Sequence, residues 1–157
     1  MRDIGLPLNM SYGCKSSGTY TNNMITALVS FGYTDNMVIK EYKLSTLMSE
    51  LDNNRPVVMS GYKNVNYTNY LFFNVPHYKD GHAWVCDGYR EDIEKYINNP
   101  GTRYEYEKEV TTIFLHMNWG WNGQNDGWYT AYSPYNLVGI NSNEYSHKLE
   151  MIVNIKP

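Results

Sequence analysis

Two stretches of this chain place side chains fit for proton transfer on what read as β-strands. Asp80-Gly81-His82-Ala83-Trp84-Val85-Cys86-Asp87-Gly88-Tyr89 carries an imidazole at His82. Leu115-His116-Met117-Asn118-Trp119-Gly120-Trp121-Asn122-Gly123-Gln124-Asn125-Asp126-Gly127-Trp128-Tyr129 carries a carboxamide at Asn118. Around each, apolar, β-branched or aromatic residues alternate with polar ones, and Asp87-Gly88, Asn122-Gly123 and Asp126-Gly127 supply turns. If the two strands are neighbours, the carboxamide can hold the imidazole in one tautomer and one orientation while it relays a proton. His116, two residues before Asn118, shares its side of the strand by the period of two. It is read as a second polar group near the site or as one that caps the sheet.

The elements that must position these groups follow from periodicity and punctuation. Met1 to Asn9 contains Gly5 and Pro7 and reads as an irregular or short extended lead-in, followed by a polar Gly/Ser/Thr loop from Ser11 to Thr21 that includes Cys14. A helix is predicted from Thr21 or Asn22, with Met24, Ala27, Leu28 and Phe31 on one core-facing stripe and Gly32 as its stop. Met37-Val38-Ile39 reads as extended. A second helix is predicted from about Ser45, with Ser45 as its cap and Leu47, Met48 and Leu51 as its stripe. Arg55-Pro56 then opens a buried strand, Val57 to Tyr62.

Residues 63–79 hold Tyr67, Tyr70, Leu71, Phe72, Phe73 and Tyr78, and read as a hairpin or an aromatic flap packed on the sheet. Residues 90–110 are rich in charge around Asn98-Asn99-Pro100-Gly101, and read as a solvent-pointing hairpin. Asn136 to Ser146 is polar and loop-like, and His147 to Ile155 is the closing strand. Two helices followed by four or five antiparallel strands make an α+β chain, read as a single domain over 1–157 with no internal repeat.

Composition bounds the function. At 157 residues the chain is long enough to bury a core. Its charged fraction, 18%, lies below the roughly 25% of an average globular domain, and its net charge of -3 comes with no basic run to attract nucleic acid. No apolar stretch approaches the roughly 18 residues of a membrane span, and the N-terminus has no export-signal pattern. Two cysteines allow at most one internal bridge and do not fix a redox compartment. His77, Asp80, His82 and Asp87 are close in sequence, but their spacing matches no strong zinc pattern and alternation splits them between faces, so neither a metal nor a cofactor is expected.

Gly-His-Ala-x-Val-x-Asp-Gly followed by Asn-Trp-Gly-Trp-x-Gly-x-x-Asp-Gly-x-Tyr resembles the streptopain family of papain-like cysteine peptidases. The resemblance continues in Asp3-Ile4-Gly5 through Tyr12-Gly13, in Ser16-Ser17-Gly18-Thr19, in the helix ending Phe31-Gly32-Tyr33, and in the last strand, Ile152 to Pro157. It implies a papain-like fold, mainly its antiparallel β-barrel or sheet half. It further implies that His82 is the general base and acid, that Asn118 orients it, and that Trp119 shields their hydrogen bond, with Gly81 and Trp121 in support. Gly81 would let a substrate backbone approach closely, although a glycine there is also plain turn chemistry. At least one of Trp119 and Trp121 is also read as a core aromatic. Ser17 and Thr19 fall in register with a substrate-side loop, and residues 63–79 and 90–110 are insertions relative to the family pattern. A single histidine beside an apolar strand is more often a satisfied core or edge residue. The paired motif reverses that expectation for His82.

One part of the family pattern has no counterpart. The nucleophilic cysteine lies far upstream of the histidine in that family, behind an oxyanion-hole glutamine, and neither Cys14 nor Cys86 falls at its position. The chain is therefore expected to be the C-terminal, His/Asn-bearing part of a truncated peptidase, inactive alone, with a polypeptide substrate. Its expected partner is the missing nucleophile-bearing half or a second copy of itself. The family resemblance implies an extracellular or cell-surface location. The alternative is a non-catalytic pseudoenzyme, or a carbohydrate- or peptide-binding module built on its aromatic residues.

Overall fold

The computed structural model describes residues 2–14, 17–132, 136–138 and 145–157. In chain order these form α1 (Arg2–Gly5), α2 (Thr21–Ser30), β1 (Val38–Glu41), α3 (Leu44–Asp52), β2 (Val57–Tyr70), β3 (Phe73–Asn98), β4 (Tyr106–Asn118), β5 (Gly127–Tyr132), β6 (Asn136–Val138) and β7 (His147–Val153). Among the described residues the strands make one antiparallel sheet in the order β1-β7-β2-β3-β4-β5-β6. The protein is thus an α+β chain dominated by antiparallel sheet.

Alternation along the central strands decides which side of the sheet each helix covers. Val57 and Met59 of β2, Trp84 and Cys86 of β3, Leu115 and Met117 of β4, and Met151 and Val153 of β7 are buried together with Leu47 of α3. The intervening residues Val58 and Ile152 turn to the other side, where Met24, Ile25 and Leu28 of α2 join Met37 and Ile155. The two helices therefore sandwich the sheet centre.

Several elements depart from the sequence reading. Among the described residues there are three helices rather than two, because the lead-in at residues 2–5 forms one helical turn. Phe31 does not belong to the core stripe of α2. It is the C-cap residue, past the last turn, and is 52% exposed, while Ile25 packs in its place. Gly32, at φ +96, ends the helix. Ser45 is not the cap of α3, which begins at Leu44 with Lys43 at the N-cap and no side-chain capping bond. Residues 136–138, read as loop, pair with β5 as β6. Within that polar stretch residues 139–144 lie outside the described residues, as do 133–135 and 15–16.

β3 is shared by two hairpins. With β2 it pairs from Val57↔Cys86 out to Tyr70↔Phe73, and with β4 from Val85↔Asn118 out to Asn98↔Tyr106. His82 lies on β3 within the β2 ladder, opposite Gly61 and three residues short of the first β4 pair.

Candidate active site

On β3 the parity of His82 is that of Trp84 and Cys86, so its ring leaves the sheet on the α3 side, at the edge of the core. Asn118 ends β4 opposite Val85 and so leaves on the other side, as does His116. Beyond Asn118 the chain turns back towards β5 through Gly120 (φ +73), Asn122 (φ +57), Gly123 (φ +82) and Asn125 (φ +64). These are residue types that tolerate left-handed backbone. Continuing the β3–β4 register past the strand end sets Trp119 opposite Trp84 and Trp121 opposite His82. The ring separations agree, at 4.9 Å and 4.8 Å.

The hydrogen-bonded partner of His82 is a main-chain group. Its Nε2 lies 2.9 Å from the Trp119 carbonyl oxygen. A carbonyl only accepts, so Nε2 carries the proton and Nδ1 of the neutral ring is left as the basic nitrogen. The Asn118 carboxamide oxygen accepts from the Gly120 N–H at 3.0 Å, and the Asp126 carboxylate accepts from the Trp119 N–H at 2.8 Å. Trp119 C=O and Gly120 N–H belong to one planar peptide unit. Asn118 therefore bears on the imidazole one step removed, by holding the peptide whose carbonyl receives the Nε2 proton.

Aromatic rings enclose the imidazole. Trp121 lies 4.8 Å away and Tyr145 5.2 Å away, with Trp119 and Trp84 at 6.1 Å and 6.3 Å. Burial pushes the His82 pKa below its ordinary value of 6.5, the Trp119 carbonyl pulls it back in part, and the Lys63 ammonium adds to the drop. The ring is therefore neutral at neutral pH and able to accept a proton.

Of the other residues singled out from sequence, Gly81 serves the Tyr62 ring, which a side chain at 81 would meet at 2.8 Å. Thr19 uses its hydroxyl internally. It donates to the Leu8 carbonyl and accepts from the Asn23 side chain at 2.9 Å, while Ser17 is exposed. The Thr21 and Ser60 hydroxyls lie 3.3 Å apart, and Ser60 leaves β2 on the α2 side, so this contact ties the segment to the face of the sheet opposite the His82 ring. His116 pairs with Asp87 at 2.6 Å and meets the edge of Trp128, away from the His82 ring. Cys86 is fully buried, and burial pushes its thiol up to about 12, whereas Cys14 is exposed. No group of three or more His, Cys, Asp or Glu able to hold a metal ion occurs among the described residues.

Three contributors escaped the sequence reading: Asp126, Tyr145 and Gly61. Asp126-Gly127 reads as turn punctuation, and only the observation that Asp126 precedes a strand returning beside Trp119 would have marked its carboxylate as an acceptor.

The family model of the peptidase C10 family matches residues 1–129. The whole chain also aligns with the thiol protease/hemagglutinin PrtT of Porphyromonas gingivalis, at 28% identity over 15% of that protein's length. It aligns with streptopains of Streptococcus pyogenes at 27% and 26% identity, over 34% of their length. The chain thus spans about a third of the streptopains and less of PrtT. With most of its length under the family model, the chain belongs to the peptidase C10 family.

Proposed function

We propose that this chain supplies the histidine side of a papain-like cysteine endopeptidase, and that the nucleophilic thiol comes from outside these residues. The observation that supports this best is the commitment of His82 Nε2 to the Trp119 carbonyl, which makes Nδ1 the basic nitrogen of a desolvated ring. In the proposed reaction Nδ1 takes the thiol proton and the thiolate attacks the carbonyl carbon of a peptide bond. The C–N bond then breaks as the imidazolium returns the proton to the departing amine, and a water molecule, deprotonated by the same nitrogen, cleaves the acyl-thioester.

Asn118 steadies the orienting peptide, and Trp119 and Trp121 keep water from it, which strengthens the hydrogen bond. Gly81 gives the strand before His82 its close packing. Ser17 and Thr19 are assigned to the substrate side on their register with the family's loop alone. Cys86 does not qualify as nucleophile, because a thiol held near 12 is protonated at neutral pH. A polypeptide substrate and a location outside the cell or at its surface go with this reading.

The test is covalent labelling with a peptide electrophile for active-site thiols, on the chain alone and with a nucleophile-bearing half added in trans, each beside His82→Ala. Labelling of a cysteine in the added half that His82→Ala abolishes is the expected result. His82-dependent labelling of Cys14 or Cys86 in the isolated chain would overturn the assignment of the nucleophile. No labelling in either setting would leave a non-catalytic binding module.

A further inference from the structure

Every main-chain polar group flanking the Trp119 side chain is tied down. Trp119 N–H goes to Asp126, Trp119 C=O to His82, and Gly120 N–H to Asn118. Two consecutive peptide planes are thereby fixed, and their outer anchor is a half-buried carboxylate seven residues further along the chain. Between the anchor points, the hydrogen bonds among the described residues are that of the Gln124 N–H to the Trp121 carbonyl, at 3.1 Å, and that of the Tyr129 hydroxyl to the Asn125 carbonyl. Four of its residues, Gly120, Asn122, Gly123 and Asn125, sit in left-handed backbone, so many loop shapes compete once the base of the loop is released. The same loop carries Trp121 onto the imidazole.

We propose that Asp126 is a positioning residue, whose carboxylate closes the 119–126 loop at its base and so holds the Trp119 carbonyl on His82 Nε2. It rests on the reading of His82 as the base, but it is a statement about hydrogen-bond geometry within this chain. What matters is an acceptor oxygen at that point rather than a negative charge. Asparagine keeps the acceptor and removes the charge. Glutamate keeps the charge and moves the acceptor by one methylene. Alanine removes both and leaves the Trp119 N–H without its partner.

The experiment follows the His82 Nε2–H proton of the isotopically labelled 157-residue chain by NMR, at a pH where the ring is neutral, in wild type and in Asp126→Asn, Asp126→Glu and Asp126→Ala. In wild type this proton is hydrogen-bonded and exchanges slowly with solvent. Asp126→Asn is expected to preserve it, and Asp126→Glu and Asp126→Ala to speed its exchange about tenfold or more. Amide signals of Met59, Cys86 and Met151 report whether the core is intact in each variant. Unchanged exchange in Asp126→Ala, or in Asp126→Glu if the alanine variant does not fold, overturns the proposal. So does an asparagine variant that behaves like alanine, because the charge would then be what acts. The thiol-labelling result and this one are independent: a chain that never supports labelling still shows or lacks the Asp126 effect.

Discussion

Which nitrogen of a neutral imidazole is basic is set by the bond that the other makes, and at His82 that bond is to backbone rather than to a side chain. Position 61 shows how narrowly the rest of the pocket is set. Gly61 faces His82 across the β2–β3 ladder, and a methyl group there would run into the Tyr145 carbonyl and come within 3.0 Å of Leu149. The first obstacle is backbone and cannot rotate away. Gly61→Ala is therefore expected to cost about 1–3 kcal/mol of stability, as overpacking does. It should also push Tyr145 off the imidazole, from its present 5.2 Å. With less burial the His82 pKa should rise towards its ordinary value, and an NMR titration beside a urea melt checks both effects. The strand that carries His82 was legible in the sequence, because its alternation is local. The partner of the His82 ring was not. Which side of the sheet Asn118 leaves on, and where the Trp119 carbonyl points, depend on strand register and on a loop closed from position 126, and neither is written in neighbouring residues.

The elements around the site are joined by one ion pair. Glu50, in the last turns of α3, accepts from Arg55 Nε at 2.8 Å and Nη2 at 3.0 Å, and from the Asn154 N–H at 2.8 Å just beyond β7. One buried carboxylate thus ties α3, the start of β2 and the end of β7 together. The Arg55 guanidinium, first, and the Asn154 N–H hold its pKa below the ordinary 4.5 against the opposing effect of burial. A carboxylate depressed in the folded state stabilises fully above its unfolded value, and that contribution is lost as pH falls through the folded value. Glu50→Gln should cost about 2 kcal/mol at pH 7, where charge-assisted bonds are lost. The gap between wild type and variant should close as pH drops below about 4.5. Denaturant melts across that range measure it, and a gap independent of pH would mean that shape rather than charge joins the three elements. Helices, strands and both hairpins were legible because apolar period and turn residues are local signals. The cap of α3 and the exposure of Phe31 were not, because they depend on where the chain leaves the helix to meet the sheet.

At the scale of the whole molecule the two hairpins give opposite surfaces. The β3–β4 hairpin is laced with ion pairs, including Lys95 to Glu109 at 2.6 Å and Arg90 to Asp92 at 3.5 Å, and such an arm stays in water. The β2–β3 hairpin has no charged residue between Lys63 and Lys79, and at its turn Leu71 is 96% and Phe72 93% exposed, beside a stacked Tyr70 and Phe73. Apolar side chains so exposed at the end of a two-stranded arm are a recognised liability for association, since they leave water only by meeting another surface. Taken as the isolated 157-residue chain, the protein should sediment faster as concentration rises. Leu71→Ser with Phe72→Ser should remove that dependence, whereas Ile97→Ser on the charged arm should not. The unfolding free energy of the double variant should stay within about 0.5 kcal/mol of wild type, because neither side chain packs in the folded monomer. Concentration dependence that survives the double variant would move the associating surface to the aromatic face around His82, where a nucleophile-bearing half would compete with it and added half would suppress it.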